Sequence, residues 1–174
     1  MDTKTKLVSA AEQLFDRHGF TATGMDRLTQ GAGMSTRTLY KHAGSKTALI
    51  TQVLKERHLR FQRRVDVTSI KALFDALEEW VQQEGCRGCL FLRAHGETGG
   101  DTAEITEAVL THKAWFYKKI EEIVSIETGG KSNPELAEQV LVLFEGATAA
   151  AIYRGADAVS AARNAAAALV DMAR

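Results

Sequence analysis

An all-α fold of about nine helices is predicted by three observations. The 174-residue chain contains one proline, Pro134, the residue type that most disrupts helix interiors. Apolar residues recur three and four positions apart over most of its length, and no stretch shows the sustained alternation of a half-buried strand. Glycines and Ser, Thr, Asn or Asp residues stand where these runs begin and end. With 45% hydrophobic and 25% charged residues, the composition is that of a globular protein, not a disordered or low-complexity one.

The elements follow in order. Leu7, Val8, Ala11, Leu14 and Phe15 share one helical face, and Gly19 supplies a stop. Thr23, with Asp26 three residues on, reads as an N-cap opening a short helix through Met25 and Leu28 to about Gly31. Ala32-Gly33-Met34 forms a tight turn, since Gly33 adopts positive φ without Cβ strain. Ser35 caps a second short helix, Thr36 to His42, with Leu39 inward, and Gly44 breaks it. Ser45 caps a longer helix with Leu49, Ile50, Val53 and Leu54. A break near Val67-Thr68-Ser69 precedes a helix through Ile70, Leu73, Phe74, Leu77, Trp80 and Val81. Gly85 and Gly88 bracket a turn before a short apolar helix, Cys89 to Glu97, that stops at Gly99-Gly100. Asp101 with Glu104 opens a long helix carrying Ile105, Val109, Phe116, Ile120 and Val124. After Gly129-Gly130, Asn133-Pro134 is a strong start signal, N-cap then proline at the first helical position. That helix runs to about Gly155, and Asp157 caps the last one.

The formal charge is zero, but it is unevenly spread. Residues 1–64 hold 12 Lys and Arg against 5 Asp and Glu, a balance of +7; residues 65–174 carry the opposite balance of −7. A basic head on an acidic body points to a polyanionic partner for the head. No apolar run approaches ~18 residues, the length needed to span a bilayer, and no secretory signal pattern opens the chain. A cytoplasmic protein with no membrane partner is therefore expected.

Residues 24–43 read GMDRLTQGAGMSTRTLYKHA: two short helices joined by a glycine turn, the geometry that lays a second helix in the DNA major groove. This second helix exposes Thr36, Arg37, Thr38, Tyr40, Lys41 and His42. Ser35 and Thr36 at its N-terminus suit phosphate, aided by the helix dipole. The fork of Arg37 suits a guanine edge, and Tyr40 and Lys41 suit backbone phosphate. Lys46 opens the next helix, where a cation opposes the local dipole and fits best with a phosphate opposite. Thr23 and Arg27 complete the expected DNA-binding set.

The run FDRHGFTATGMDRLTQGAGMSTRTLYKHAGSKTALI resembles the N-terminal domain of the tetracycline-repressor (TetR/AcrR) family of bacterial transcriptional regulators. The likeness covers about residues 3–58 and rests on Gly19-Phe20, Gly33, Ser35, Leu39-Tyr40, Ser45-Lys46 and Leu49 at this spacing. GCLFLRAHGE (88–97) resembles a segment often seen at the sixth helix of that family. Ala43 departs from the pattern, which commonly has an aromatic residue there. The resemblance implies a helix-turn-helix DNA-binding domain at 1–46, a connecting helix at about 46–64, and a ligand-binding and dimerisation domain at 47–174. It further implies a homodimer on a palindromic double-stranded DNA operator, most often a repressor, released by an unidentified small-molecule effector. It places the protein in the bacterial cytoplasm with the nucleoid.

In the body, a pocket is expected between the helices starting near Ile70, Cys89, Ala103 and Pro134, lined by Phe74, Leu77, Leu92, His95, His112, Trp115, Phe116 and Phe144. Such pockets are mostly apolar with few polar groups, which singles out His95 and His112; Glu97 is a candidate partner for His95. The last two helices are rich in small residues that permit close approach. Leu141, Phe144, Thr148, Ala151 and Ile152 on the first, with Ala161, Ala165, Ala168 and Leu169 on the second, are the expected dimer interface, corresponding in the family to a four-helix bundle between subunits.

Two rival readings stand beside this one. Cys86-Arg87-Gly88-Cys89 is an isolated CxxC that would suit a thiol- or metal-sensing regulator, although zinc needs further ligands. A helical small-molecule-binding or adaptor protein without DNA binding is the third. No phosphate loop, GxSxG or HExxH motif points to an enzyme, and neither catalytic residues, a structural metal nor a cofactor is expected.

Overall fold

The computed structural model describes residues 2–174. Among them are nine helices and no strand: α1 (Thr3–His18), α2 (Met25–Ala32), α3 (Thr36–Ala43), α4 (Lys46–Arg64), α5 (Ile70–Glu84), α6 (Leu90–Glu97), α7 (Ala103–Glu127), α8 (Pro134–Arg154) and α9 (Ala156–Ala173). The all-α expectation holds. The start signals were less uniform than the sequence suggested. Ser35, Ser69 and Asn133 cap their helices by accepting the amide three residues on, as short polar side chains do. Gly24, not Thr23, stands at the N-cap of α2, and Gly155, not Asp157, at that of α9.

The chain forms two compact units: the residues up to Leu59 with Leu90–Thr111, and Arg60–Cys89 with His112–Arg174. The functional division expected at 46/47 falls at the first residue of α4, whereas packing places most of α4, and α6, in the first unit. In that unit α1 packs against both α2 and α3. Leu7, Phe15, Phe20, Leu28, Leu39, Leu49 and Leu54 are fully buried there, and Phe15 stacks on Phe20 with ring centres 4.9 Å apart. Two charged pairs are enclosed with this core. Arg57 Nη1 donates to Glu12 Oε1 at 2.9 Å, both side chains being buried. Arg93 of α6 donates to the Asp16 carboxylate at 3.2 Å and to the Phe15 and Asp16 carbonyls at the end of α1.

In the second unit α9 packs on α8 and α5. An aromatic group fills its centre: Phe61 meets Trp80, His112, Phe116 and Phe144 edge-on, with ring centres 5.6, 5.3, 5.1 and 6.2 Å away. Aromatic pairs prefer this arrangement to face-to-face stacking. Contrary to expectation, α8 is by length and composition apolar enough to cross a bilayer, with mean hydropathy 1.3 and 33% of that stretch buried. Its many alanines raise the average without forming an unbroken strongly apolar run. Val140, Phe144, Ala147 and Ala151 belong to the core of the unit.

Candidate nucleic-acid interface

The turn between α2 and α3 is set by Gly33, which takes φ 61°, ψ 45° after the last residue of α2. Its N–H donates to the Gln30 carbonyl and that of Met34 to the Thr29 carbonyl, at 3.1 and 3.2 Å. This paired closure is the Schellman motif, which a residue without Cβ completes at least cost. The chain then re-enters a helix at once, because Ser35 is in extended conformation and its Oγ accepts the Thr38 amide at 3.2 Å. The cap fixes which face of α3 looks inward. Leu39 and Ala43, four residues apart, are buried. Ser35, Thr36, Arg37, Tyr40 and Lys41 are exposed, while Thr38 and His42 are half-buried at the flanks. Tyr40 leaves 47% of its surface in solvent, unusual for a ring with a neighbouring core.

Arg27, on the exposed side of α2, is also at the surface. Thr23 is not: it is wholly buried, and its hydroxyl donates to the Gly19 carbonyl at 2.6 Å. It ties off the α1–α2 turn and is removed from the DNA-contacting set. Lys46 is half-buried at the start of α4. Burial lowers its pKa, and the attraction of Glu97 opposes that shift only in part.

Glu97 was expected as a partner for His95; its carboxylate instead accepts the Thr21 amide at 2.8 Å. Gly19, at φ 86°, leaves room for it, since a Cβ there would stand 2.9 Å from Glu97 Oε1. His95 Nδ1 is buried without a hydrogen-bond partner among the described residues. Through Arg93 and Glu97, α6 therefore holds the end of α1 and the turn that follows. Sequence periodicity gave no sign of these contacts, because they join residues 76 and more positions apart.

The expected pocket residues are divided between the two units. Phe74, Leu77, His112, Phe116 and Phe144 are buried together in the second unit, with Trp115 partly buried against them. Leu92 and His95 belong to the first unit, and Leu92 is 49% exposed. Leu92 faces outward because Leu90, Phe91 and Ala94 supply the inner face of α6. The expected dimer face also needs correction at two positions. Phe144 and Ala151 are buried in the core of their own unit, so they are not available to a second copy. Ile152, Ala161, Ala165 and Ala168 are exposed, and Leu141, Thr148 and Leu169 half-buried. Val142, Gly146, Ala149 and Tyr153 of α8 and Met172 of α9 are exposed as well.

Of the two cysteines, Cys86 is exposed and Cys89 half-buried. Lys113 of α7 donates to Cys89 Sγ at 3.4 Å and to Glu145 Oε1 of α8 at 2.5 Å. Burial acts to lower the Lys113 pKa, but attraction from Cys89 and Glu145 outweighs it and raises the value. The side chain is therefore an ammonium at neutral pH.

Residues 7–53 match the family model of bacterial regulatory proteins, tetR family. The chain is 33% identical over 95 residues to the HTH-type transcriptional repressor BdcR of Escherichia coli (strain K12); the match spans 49% of this chain and 48% of that protein. Thus the chain aligns with about half the length of this curated relative. The fold is that of a TetR-family transcriptional regulator from Streptomyces coelicolor, with TM-score 0.90 at 22% identity, covering 99% of this chain and 96% of that one. A tetR-type transcriptional regulator from Streptomyces avermitilis gives TM-score 0.82 at 25% identity, covering 99% and 98%.

Proposed function

We propose that the chain is a member of the tetracycline-repressor family of bacterial regulatory proteins and acts as a homodimeric repressor. Two copies hold a palindromic operator through α3, and a small molecule taken up by the body releases it. The observation that carries this reading is the outward face of α3, with Thr36, Arg37, Tyr40 and Lys41 exposed on a helix whose opposite face is anchored by Leu39 and Ala43. Residues 1–46 bind DNA in this reading, while 47–174 hold the effector and the second copy. The aromatic cluster around Phe61, with His112 among it, is the natural place for an apolar effector. Such an effector must favour the released arrangement by ~1–3 kcal/mol to weaken operator binding roughly 5–150-fold.

The test is fluorescence anisotropy with DNA from upstream of the protein's own gene, titrated at several salt concentrations. Specific binding with a steep salt dependence is expected, because neutralised phosphates release counterions; binding no tighter than to unrelated duplex overturns the reading. Two substitutions sharpen it. Arg37→Ala is expected to weaken specific binding by ~1–3 kcal/mol and to relax preference at one base pair. An equal loss on every sequence makes Arg37 a phosphate contact. Lys46→Ala is expected to weaken binding uniformly and to lower the salt slope by roughly one unit. An unchanged slope leaves Lys46 outside the interface.

A further inference from the structure

Two buried side-chain polar atoms have no hydrogen-bond partner among the described residues, Gln52 Oε1 and His95 Nδ1. Buried acceptors are nearly always satisfied, because an unmade hydrogen bond forfeits the hydration given up on burial. Gln52 differs from His95 in its place: it lines a groove of about 570 Å³ between the first turns of α4 and the start of α7, within the size range of small-molecule sites. The groove lies wholly in the first unit, whereas the aromatic cluster belongs to the second. Thr47 and Ala48 of α4 and Thr102, just before α7, supply it with hydroxyls and methyl groups. Lys55 on α4 and Glu104 on α7 line it with opposite charges. These two do not pair with one another, and neither has another ion-pair partner among the described residues. A cation and an anion that share a groove without closing on each other leave a span for a molecule that carries both charges.

We propose that this groove binds a small zwitterion of the amino-acid class. Its carboxylate meets the Lys55 ammonium. Its own ammonium meets the Glu104 carboxylate and donates to Gln52 Oε1, and a short aliphatic remainder lies against Ala48 and the threonine methyls. Each lining group then has the partner its chemistry requires: the buried amide oxygen accepts from a donor, and each charge faces its opposite. A plain anion would satisfy Lys55 alone and set a negative charge beside Glu104 and the Gln52 oxygen. A plain cation would satisfy those two and face Lys55 with a like charge. The groove is thus a small-molecule site beside the head, separate from the place assigned above to an apolar effector, and its occupation requires no DNA.

The isotope-labelled full chain is titrated with L-alanine, L-valine and γ-aminobutyrate up to about 10 mM, where a ligand of roughly eight heavy atoms binds at ordinary efficiency, and its amide NMR signals are followed. At least one of the three is expected to bind and to move the signals of residues 47–55 and 102–104. The tightest binder is then compared with its analogues lacking the ammonium or the carboxylate, isovalerate and isobutylamine in the case of valine. Loss of the ammonium is expected to weaken binding about tenfold or more, since a buried hydrogen bond goes with the ion pair. Loss of the carboxylate is expected to weaken it about threefold, the contribution of an exposed pair. Gln52→Leu and Glu104→Gln should weaken the zwitterion and leave the carboxylate analogue unchanged. Lys55→Met should weaken the zwitterion and leave the amine analogue unchanged, with circular dichroism confirming that each variant folds. Silence of all three ligands, shifts confined to other residues, or either analogue binding as tightly as its parent overturns the site. So do variants that fold but leave the zwitterion's affinity as it was, or that weaken parent and analogue alike.

Discussion

Replacing Arg57 by alanine is expected to cost the first unit about 3–5 kcal/mol, the penalty for stranding a buried charge. Glu12 and Arg57 are 7% and 5% exposed, and their 2.9 Å bond joins residues 45 positions apart, from α1 to α4. The pair itself need not contribute much, since two desolvated ions recover in mutual attraction roughly what they lose from water. The cost arises from removing one partner. The Glu12 carboxylate would then stay buried without the Arg57 cation. Two controls separate this from lost packing. Glu12→Leu combined with Arg57→Met should recover part of the stability, because the two charges of this pair are removed together. The probes should also diverge. The chain has two tryptophans, Trp80 and Trp115, both in the second unit. In guanidinium, the helical signal of Arg57→Ala should therefore lose an early component, while tryptophan fluorescence moves less. A variant within about 1 kcal/mol of wild type would show that water reaches Glu12, leaving an ordinary exposed ion pair.

Why such a pair escapes sequence reading is a matter of distance along the chain. Local signals are strong where one residue dictates one backbone state. Ser35, Gly33 and Asn133-Pro134 did so, and α2, α3 and α8 begin or end where those residues place them. Thr23 shows the limit: the same residue type that caps helices also folds back onto a carbonyl, and here Gly19 claims its hydroxyl. Glu12, Asp16, Arg57 and Arg93 read as solvated charges on helix surfaces, and Glu97 as a candidate partner for His95. Only the fold brings them together. The body was harder for a different reason. α8 is apolar or small on nearly every side, so its period could not tell the face that meets α9 and α5 from the face that meets solvent. Periodicity consequently puts Phe144 and Ala151 on an outer face that Val142, Gly146 and Ala149 occupy instead. The outward face of α3 was easier, since Leu39 and Ala43 are apolar residues among polar ones and leave only one way to orient the helix.

The outer faces of α8 and α9 lead to the largest expected effect on function. Val142, Gly146, Ala149 and Tyr153 follow one another at intervals of four, three and four along α8, and Ala161, Ala165, Ala168 and Met172 repeat those intervals along α9. These are the spacings of a single helix face. All eight residues are exposed, with Val142 at 61%, Tyr153 at 78% and Met172 at 84%. Water gains nothing from such a surface, and the glycine and alanines between the larger residues let another pair of helices approach closely. In the homodimer proposed above, a second copy presenting the same face would close a four-helix bundle with two-fold symmetry. Ala149→Arg puts a long cation in the middle of this face, and its twofold mate would bring another nearby. The variant is expected to elute and sediment as a monomer. It should keep its own fold, because Ala149 is exposed in a single copy. Operator affinity should fall by about 10²–10⁴-fold, the avantage two linked heads hold over one. Half-site DNA should bind wild type and variant alike, since each head then acts alone. A variant that remains dimeric moves the interface elsewhere. One that becomes monomeric yet binds the full operator at wild-type strength shows that the two heads do not act through this joint.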